Sequence, residues 1–231
     1  SEMCIRDRES DFEKTEEEII EPKEGQIKCE SLYLSLDPYL RGKINGRHIS
    51  GAIFPGELMT GEVISRVTSS ADPAFKKGDL IISHSGWQSH PVINAADASK
   101  IIDLGIPVST YLGILGMPGL TAYAGLLRLA KPKEKDVVLV SAASGAVGSM
   151  VGQIAKIKNC YVVGIAGSDE KCSWVTKTTS MDECINYKKE NLTEKIKEYC
   201  PQGIDIYYDN VGAETLQAAM EQLAPYSRVI L

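Results

Sequence analysis

The chain has 231 residues, 43% of them hydrophobic and 24% charged, the composition of a folded globular protein and not of a disordered or fibrous one. Its 25 basic and 31 acidic residues leave a net charge of -6 with no basic arm or stripe, so nucleic acid is not an expected partner. The longest apolar runs, Val137 to Val140 and Tyr161 to Ala166, are far too short to cross a bilayer, and no membrane partner is expected.

Taken in chain order, residues 1–8 (SEMCIRDR) have no apolar core and resemble the translated transposon end of a sequencing library. They are expected to be a non-native leader, outside the fold. Residues 9–108 carry short β-like runs, Gln26 to Leu36, Gly61 to Val67 and Asp79 to Ser83, bounded by turn residues and without a sustained helical period. This texture predicts an irregular β-barrel or β-sandwich.

Over residues 109–231, strands and helices alternate. A leucine-rich segment runs to Ala130 and stops at Pro132. Val137 to Val140 is a continuous apolar run of the kind buried on both faces. Next come a helix from Ala146 to Lys158, a strand from Tyr161 to Ala166, a helix from Asp169 and a strand at Cys184 to Asn186. Further elements are a helix over Leu192 to Tyr199, a strand over Ile204 to Tyr208, a helix over Ala213 to Leu223 and a strand over Val229 to Leu231. Parallel strands need crossover helices, so the order predicts a doubly wound parallel sheet of five strands. The last strand has no turn or cap after it, and the chain is expected to be a fragment.

The strongest chemical signal opens the first helix of this half: Ser141-Ala-Ala-Ser-Gly-Ala-Val-Gly148, read as A-x-G-x-x-G. Gly145 lets a diphosphate approach the backbone, Gly148 lets the helix press onto the strand, and the helix N-terminus offers N–H donors. The same pattern serves as a packing turn, but its place between an apolar strand and an amphipathic helix favours dinucleotide binding. Sites for NAD carry an acidic residue at the end of the second strand, whereas here Ile165-Ala-Gly-Ser168 is neutral and Lys171 follows one turn later. That favours NADP, although Asp169 and Glu170 beside Lys171 also fit an ordinary solvated helix lysine. The six cysteines lie at wide, irregular spacing without a C-x-x-C pair. They predict neither a disulfide framework nor structural zinc, and suit mostly inert, buried thiols in a reducing cytoplasm.

Several strings together resemble a family: Leu34-Ser-Leu-Asp-Pro-Tyr-Leu-Arg41, Gly113-Ile-Leu-Gly-Met-Pro-Gly-Leu-Thr-Ala-Tyr123, the Val140 to Ser149 turn, Ala166-Gly-Ser-Asp-Glu-Lys171, Ile185-Asn-Tyr187 and Tyr208-Asp-Asn-Val-Gly212. The chain is similar to the zinc-independent medium-chain dehydrogenase/reductases, and within them to the NADPH-dependent alkenal double-bond reductases, which include prostaglandin and bacterial curcumin-type reductases. The resemblance implies an α/β protein with a GroES-like barrel (residues 9–108) and a Rossmann NADP-binding domain (residues 109–231), both incomplete, with the cofactor between them. It implies that Gly145, Ala146, Val147 and Gly148 hold the diphosphate and that Lys171 and Tyr187 meet the 2'-phosphate. Asn210 would contact the cofactor, and Met117 and Thr121 would lie beside the nicotinamide. From the residues alone, Met117 reads as core filler, Thr121 as a threonine bonded to its own helix backbone and Asn210 as a turn former.

No metal is expected. The zinc enzymes show Gly-His-Glu where this chain has Gly56-Glu-Leu58, and Cys29, His48, His84 and His90 share no ligand spacing. The implied reaction is hydride addition to the β-carbon of an α,β-unsaturated ketone or aldehyde, with Tyr39 as pocket wall or phenolic donor. A quinone reductase and a non-catalytic NADPH-binding protein are the alternatives. A homodimer is implied for the longer parent.

Overall fold

A computed structural model describes residues 9–46 and 48–231; the expected leader, residues 1–8, lies outside them. The described residues divide into two units, one up to Leu112 and the other Gly113–Leu231.

The N-terminal unit is built on a five-stranded antiparallel sheet in the order β4-β1-β2-β3-β5. The strands are β1 (Gln26–Leu34), β2 (Val63–Ser70), β3 (Leu80–Ser83), β4 (Val92–Asn94) and β5 (Ala98–Lys100). Register shifts at Lys28/Cys29 and Ser31/Tyr33 break the β1–β2 ladder, and such irregularities bend and twist a sheet. Ile27, Cys29, Val67, Ile81 and Ala95 form its core. The half read as lacking a sustained helical period contains α1 (Tyr39–Ile44), a six-residue helix that starts after Pro38 and buries only Leu40. So short a helix leaves no periodic signature. β4 and β5 were equally unforeseen, since three residues are too few to show alternation.

The C-terminal unit is a five-stranded sheet in the order β10-β9-β6-β7-β8, parallel throughout. Its strands are β6 (Val137–Val140), β7 (Tyr161–Ala166), β8 (Glu183–Asn186), β9 (Ile204–Tyr208) and β10 (Leu223–Ile230). Helices α2 (Met117–Tyr123), α3 (Ala146–Ile157) and α4 (Asp169–Thr179) supply one core layer, in which Ala122, Val151, Ala155 and Val175 meet Val138, Val140 and Val162. Helices α5 (Leu192–Tyr199) and α6 (Ala213–Met220) supply the other, with Ile196, Ala218 and Ala219 against Leu139, Val163 and Tyr207. Apolar side chains therefore leave each central strand on both faces, as the doubly wound expectation requires.

Two details differ from the sequence reading. Helix α6 ends at Met220, not at Leu223, because Leu223 pairs with Ile204 and already belongs to β10. The leucine-rich segment does reach Ala130, but after α2 it continues over Ala124–Ala130 in wider, i to i+5 turns, closed by Lys131 at φ 51°.

Candidate functional site

In an open α/β sheet the ligand crevice lies at the carboxyl ends of the strands, where the strand order reverses. Here that point is β6: β7 and β8 lie on one side, β9 and β10 on the other. The loops leaving β6, β7, β8 and β9 bring most of the sequence-predicted residues to this edge.

The β6 loop is shaped by close backbone approach. Ala142 sits at φ 48°, in the left-handed region that costs a residue with a Cβ about 1 kcal/mol or more. Its carbonyl oxygen accepts from the Gly145 N–H at 2.8 Å. A Cβ on Gly148 would lie 2.4 Å from that same oxygen, so only glycine lets α3 start so close to the strand. Gly145 caps α3 with no side chain bonded to the helix end, whereas Ser168 Oγ caps α4 and Asn191 Oδ1 caps α5. The first-turn N–H groups of Ala146 and Val147 thus have no side-chain acceptor, buried Gly148 packs against the Ala142 backbone, and a Cβ on Gly145 would come within 3.1 Å of the Ala142 carbonyl oxygen. This fits a diphosphate.

At the next loop, the Tyr187 ring lies over Gly167: a Cβ there would stand 3.2 Å from Cε1 and 3.3 Å from the hydroxyl. Lys171 is on the first turn of α4, exposed, with its backbone N–H donating to Ser168 Oγ at 3.2 Å. Asp169, which competes for it on paper, is occupied elsewhere. Its carboxylate pairs with Lys189 and accepts from Asn186 Nδ2, and these two bonds hold it below the usual carboxylate range. The Lys171 ammonium has no ion pair among the described residues. A cation, a tyrosine hydroxyl and a capping serine therefore share one neutral strand end.

The β6 and β9 loops are tied by a network that sequence reasoning missed. Asp209 Oδ1 accepts from Ser141 Oγ (2.9 Å), the Tyr207 hydroxyl (2.8 Å) and the backbone N–H groups of Val211 (3.0 Å) and Gly212 (2.9 Å). Burial alone would push Asp209 up, but these four bonds outweigh it and hold the carboxyl below its ordinary value. Asn210 then donates its backbone N–H to Ser141 Oγ (2.7 Å) and Nδ2 to the Ser141 carbonyl (2.8 Å). The Asn210 amide is thereby oriented, its nitrogen taken by protein. The only local signal was Asp-Asn after an apolar strand, and Ser141 carried none.

Met117 and Thr121 belong to α2, which is joined to β9 by the Tyr208 hydroxyl donating to the Thr121 carbonyl at 2.8 Å. Met117 is 39% exposed and is not core filler. The Thr121 hydroxyl donates to the Met117 carbonyl at 2.8 Å, the local bond expected of a helical threonine. Tyr39 lies in the N-terminal unit, its ring 5.1 Å from that of His48. Burial, then the Asp37 and Glu62 carboxylates, raise its phenol, which keeps it a donor at neutral pH. Among the described residues no three His, Cys, Asp or Glu side chains gather as a metal site, and no helix is long and apolar enough to cross a membrane.

Two family models match the chain: an N-terminal domain of oxidoreductase over residues 6–101 and a zinc-binding dehydrogenase over residues 146–231. Prostaglandin reductase 1 of Bos taurus is 43% identical over 227 residues, 96% of this chain and 67% of that protein. The chain belongs to the medium-chain dehydrogenase/reductase family. Another family member, the NADP(+)-dependent 2-alkenal reductase of Nicotiana tabacum, is 45% identical over 89% of this chain and 61% of its own length. The NADPH-dependent curcumin reductase of Escherichia coli is 41% identical over 94% and 64%. The crystal structure of CurA from Vibrio vulnificus in complex with NADPH superposes with a TM-score of 0.86 at 39% identity, over 93% of this chain and 64% of that one. The chain thus spans between 61% and 67% of the length of these curated relatives. The family's architecture, a GroES-like sheet domain and a Rossmann domain, is the one described above.

Proposed function

We propose that the whole protein reduces the C=C bond of α,β-unsaturated ketones and aldehydes with NADPH. The observation that carries the cofactor is the β6 loop, where α3 starts without a side-chain cap at Gly145 and is held against the loop by a glycine at 148. Alkenal, curcumin and prostaglandin reductases at 41–45% identity support the substrate class. When bound, NADPH supplies a hydride. In this reading Gly145, Ala146, Val147 and Gly148 hold the diphosphate through backbone N–H groups, and Lys171 with Tyr187 binds the 2'-phosphate. Asn210 presents its amide oxygen to a donor on the ligand. Met117 and Thr121 flank the nicotinamide, the first by apolar contact. We propose Tyr39 as the phenolic donor to the substrate oxygen, on which negative charge builds as the β-carbon is reduced.

The domain assignment, residues 9–108 as the GroES-like catalytic part and 109–231 as the NADP-binding part, belongs to the same proposal, as do a homodimer and a cytoplasmic setting.

The test is NADPH oxidation by the whole protein with a straight-chain alkenal, a quinone and a buffer blank. Turnover of the alkenal above both others is expected. Tight NADPH binding with no turnover would leave only a nucleotide-binding role, and faster quinone turnover would favour the quinone-reductase alternative. For the phosphate contact, Lys171→Ala is expected to weaken NADPH binding by about tenfold to a hundredfold, the range of a charge-assisted bond, with NADH binding unchanged. Equal loss for both dinucleotides in a fluorescence titration would remove Lys171 from that role.

A further inference from the structure

The cysteines read from sequence as inert divide into two classes. Cys29, Cys160 and Cys200 are buried in separate parts of the cores. Cys172 on α4 and Cys184 on β8 are only half-buried, and the Cys184 thiol donates to Cys172 Sγ at a sulfur–sulfur distance of 2.9 Å. Two thiols twelve residues apart, on different elements, thus already lie within about 1 Å of bonding distance. We propose that Cys172 and Cys184 form a reversible redox couple, closed to an intrachain disulfide by a low-molecular-weight disulfide and reopened by thiols.

The step balances without a further reactant. Cys172, as thiolate, attacks one sulfur of the small disulfide; its S–S bond breaks and one small thiol leaves with a proton. Cys184 loses its proton to solvent and attacks Cys172 Sγ, releasing the second small thiol. Two protein thiols are oxidised, and one small disulfide is reduced to two thiols. Burial raises both thiols; at Cys172 the bond from Cys184 opposes that rise, whereas at Cys184 the same bond adds to it. Cys172 is accordingly the attacking sulfur. Dithiols of this kind in a reducing compartment serve transient chemistry and not structural cross-linking.

The position gives the couple a consequence. Cys172 directly follows Lys171, and Cys184 precedes Asn186 and Tyr187, so the bond would staple the two walls of the strand end assigned above to the 2'-phosphate. The effect on cofactor binding rests on that assignment; the disulfide itself does not.

The experiment uses the full chain carrying Cys4→Ser, reduced and then incubated with 2-hydroxyethyl disulfide. Peptide mass mapping is expected to find Cys172 joined to Cys184 with the loss of two hydrogens, reversed by dithiothreitol. In the same background Cys184→Ser is expected to trap a stable mixed disulfide on Cys172, because the resolving thiol is gone. Closing so short a loop is expected to raise the thermal midpoint by on the order of 5 °C. Unmodified thiols, or a mixed disulfide on Cys172 that persists while Cys184 is intact, would overturn the couple. NADPH titration of the reduced and oxidised forms separates the two ideas. A cross-link with no NADPH binding in either form leaves the couple standing and removes the nucleotide reading.

Discussion

Gly148→Ala is expected to lower stability by about 3 kcal/mol and to abolish dinucleotide binding. The added methyl would stand 2.4 Å from the Ala142 carbonyl oxygen and 3.0 Å from both the Ala142 carbonyl carbon and the Ala143 Cα. All three are backbone atoms, so no rotamer relieves the overlap and α3 must move off the strand. Alanine favours a helix interior by about 1 kcal/mol over glycine, which offsets only part of this. Gly152→Ala, one turn further along α3, is the internal control. A Cβ there would meet Met181 Cε at 2.0 Å, Sδ at 2.7 Å and Cγ at 2.9 Å, all atoms of one unbranched side chain and none of the backbone. Urea denaturation of both variants should show the Gly148 loss well above the Gly152 loss. Equal losses would mean that the turn yields as easily as a methionine.

Asp209→Ala is expected to cost about 2–4 kcal/mol, because it removes the acceptor of the Ser141 and Tyr207 hydroxyl protons, both on fully buried residues, and of the Val211 and Gly212 N–H groups. The pH dependence has a definite sign. The folded carboxyl is held below its unfolded value of about 3.9, so its contribution is complete above that pH and is lost as pH falls through the folded value. The unchanged protein should therefore lose stability on the acid side more steeply than Asp209→Ala, and the two denaturation midpoints should converge as the pH falls below about 4. Parallel curves over that range would show that the fold does not lower the Asp209 carboxyl.

How much could be read beforehand depended on how local the cause was. The five parallel strands were legible because each central one is apolar on both faces, a pattern that needs no partner to be recognised. Gly145 and Gly148 were legible for the same reason: the turn and the helix it opens are consecutive. Helix α1 and strands β4 and β5 were not, since six and three residues are shorter than the periods that betray them. The overlong reading of α6 arose because Leu223 continues the helix's apolar rhythm after the backbone has joined β10. In the site, Lys171 was found by its distance from the glycine turn, but its freedom from Asp169 depends on Lys189 and Asn186, which only the fold brings near. The Ser141–Asp209 bond joins residues 68 positions apart, and nothing in either neighbourhood announces it.

That bond has a consequence for selectivity. Ser141, Asp209 and Asn210 fasten the loops that leave the paired strands β6 and β9, so their spacing is set by the protein's own hydrogen bonds. Asn210 cannot turn its amide over without releasing the Ser141 carbonyl. On the proposed assignment of Asn210, the ligand meets an acceptor that is already oriented, and a molecule offering an acceptor in return is disfavoured by mismatch. On that assignment discrimination at this edge is built into the protein's own hydrogen bonds, and tighter ligands should be those that leave its backbone where it stands.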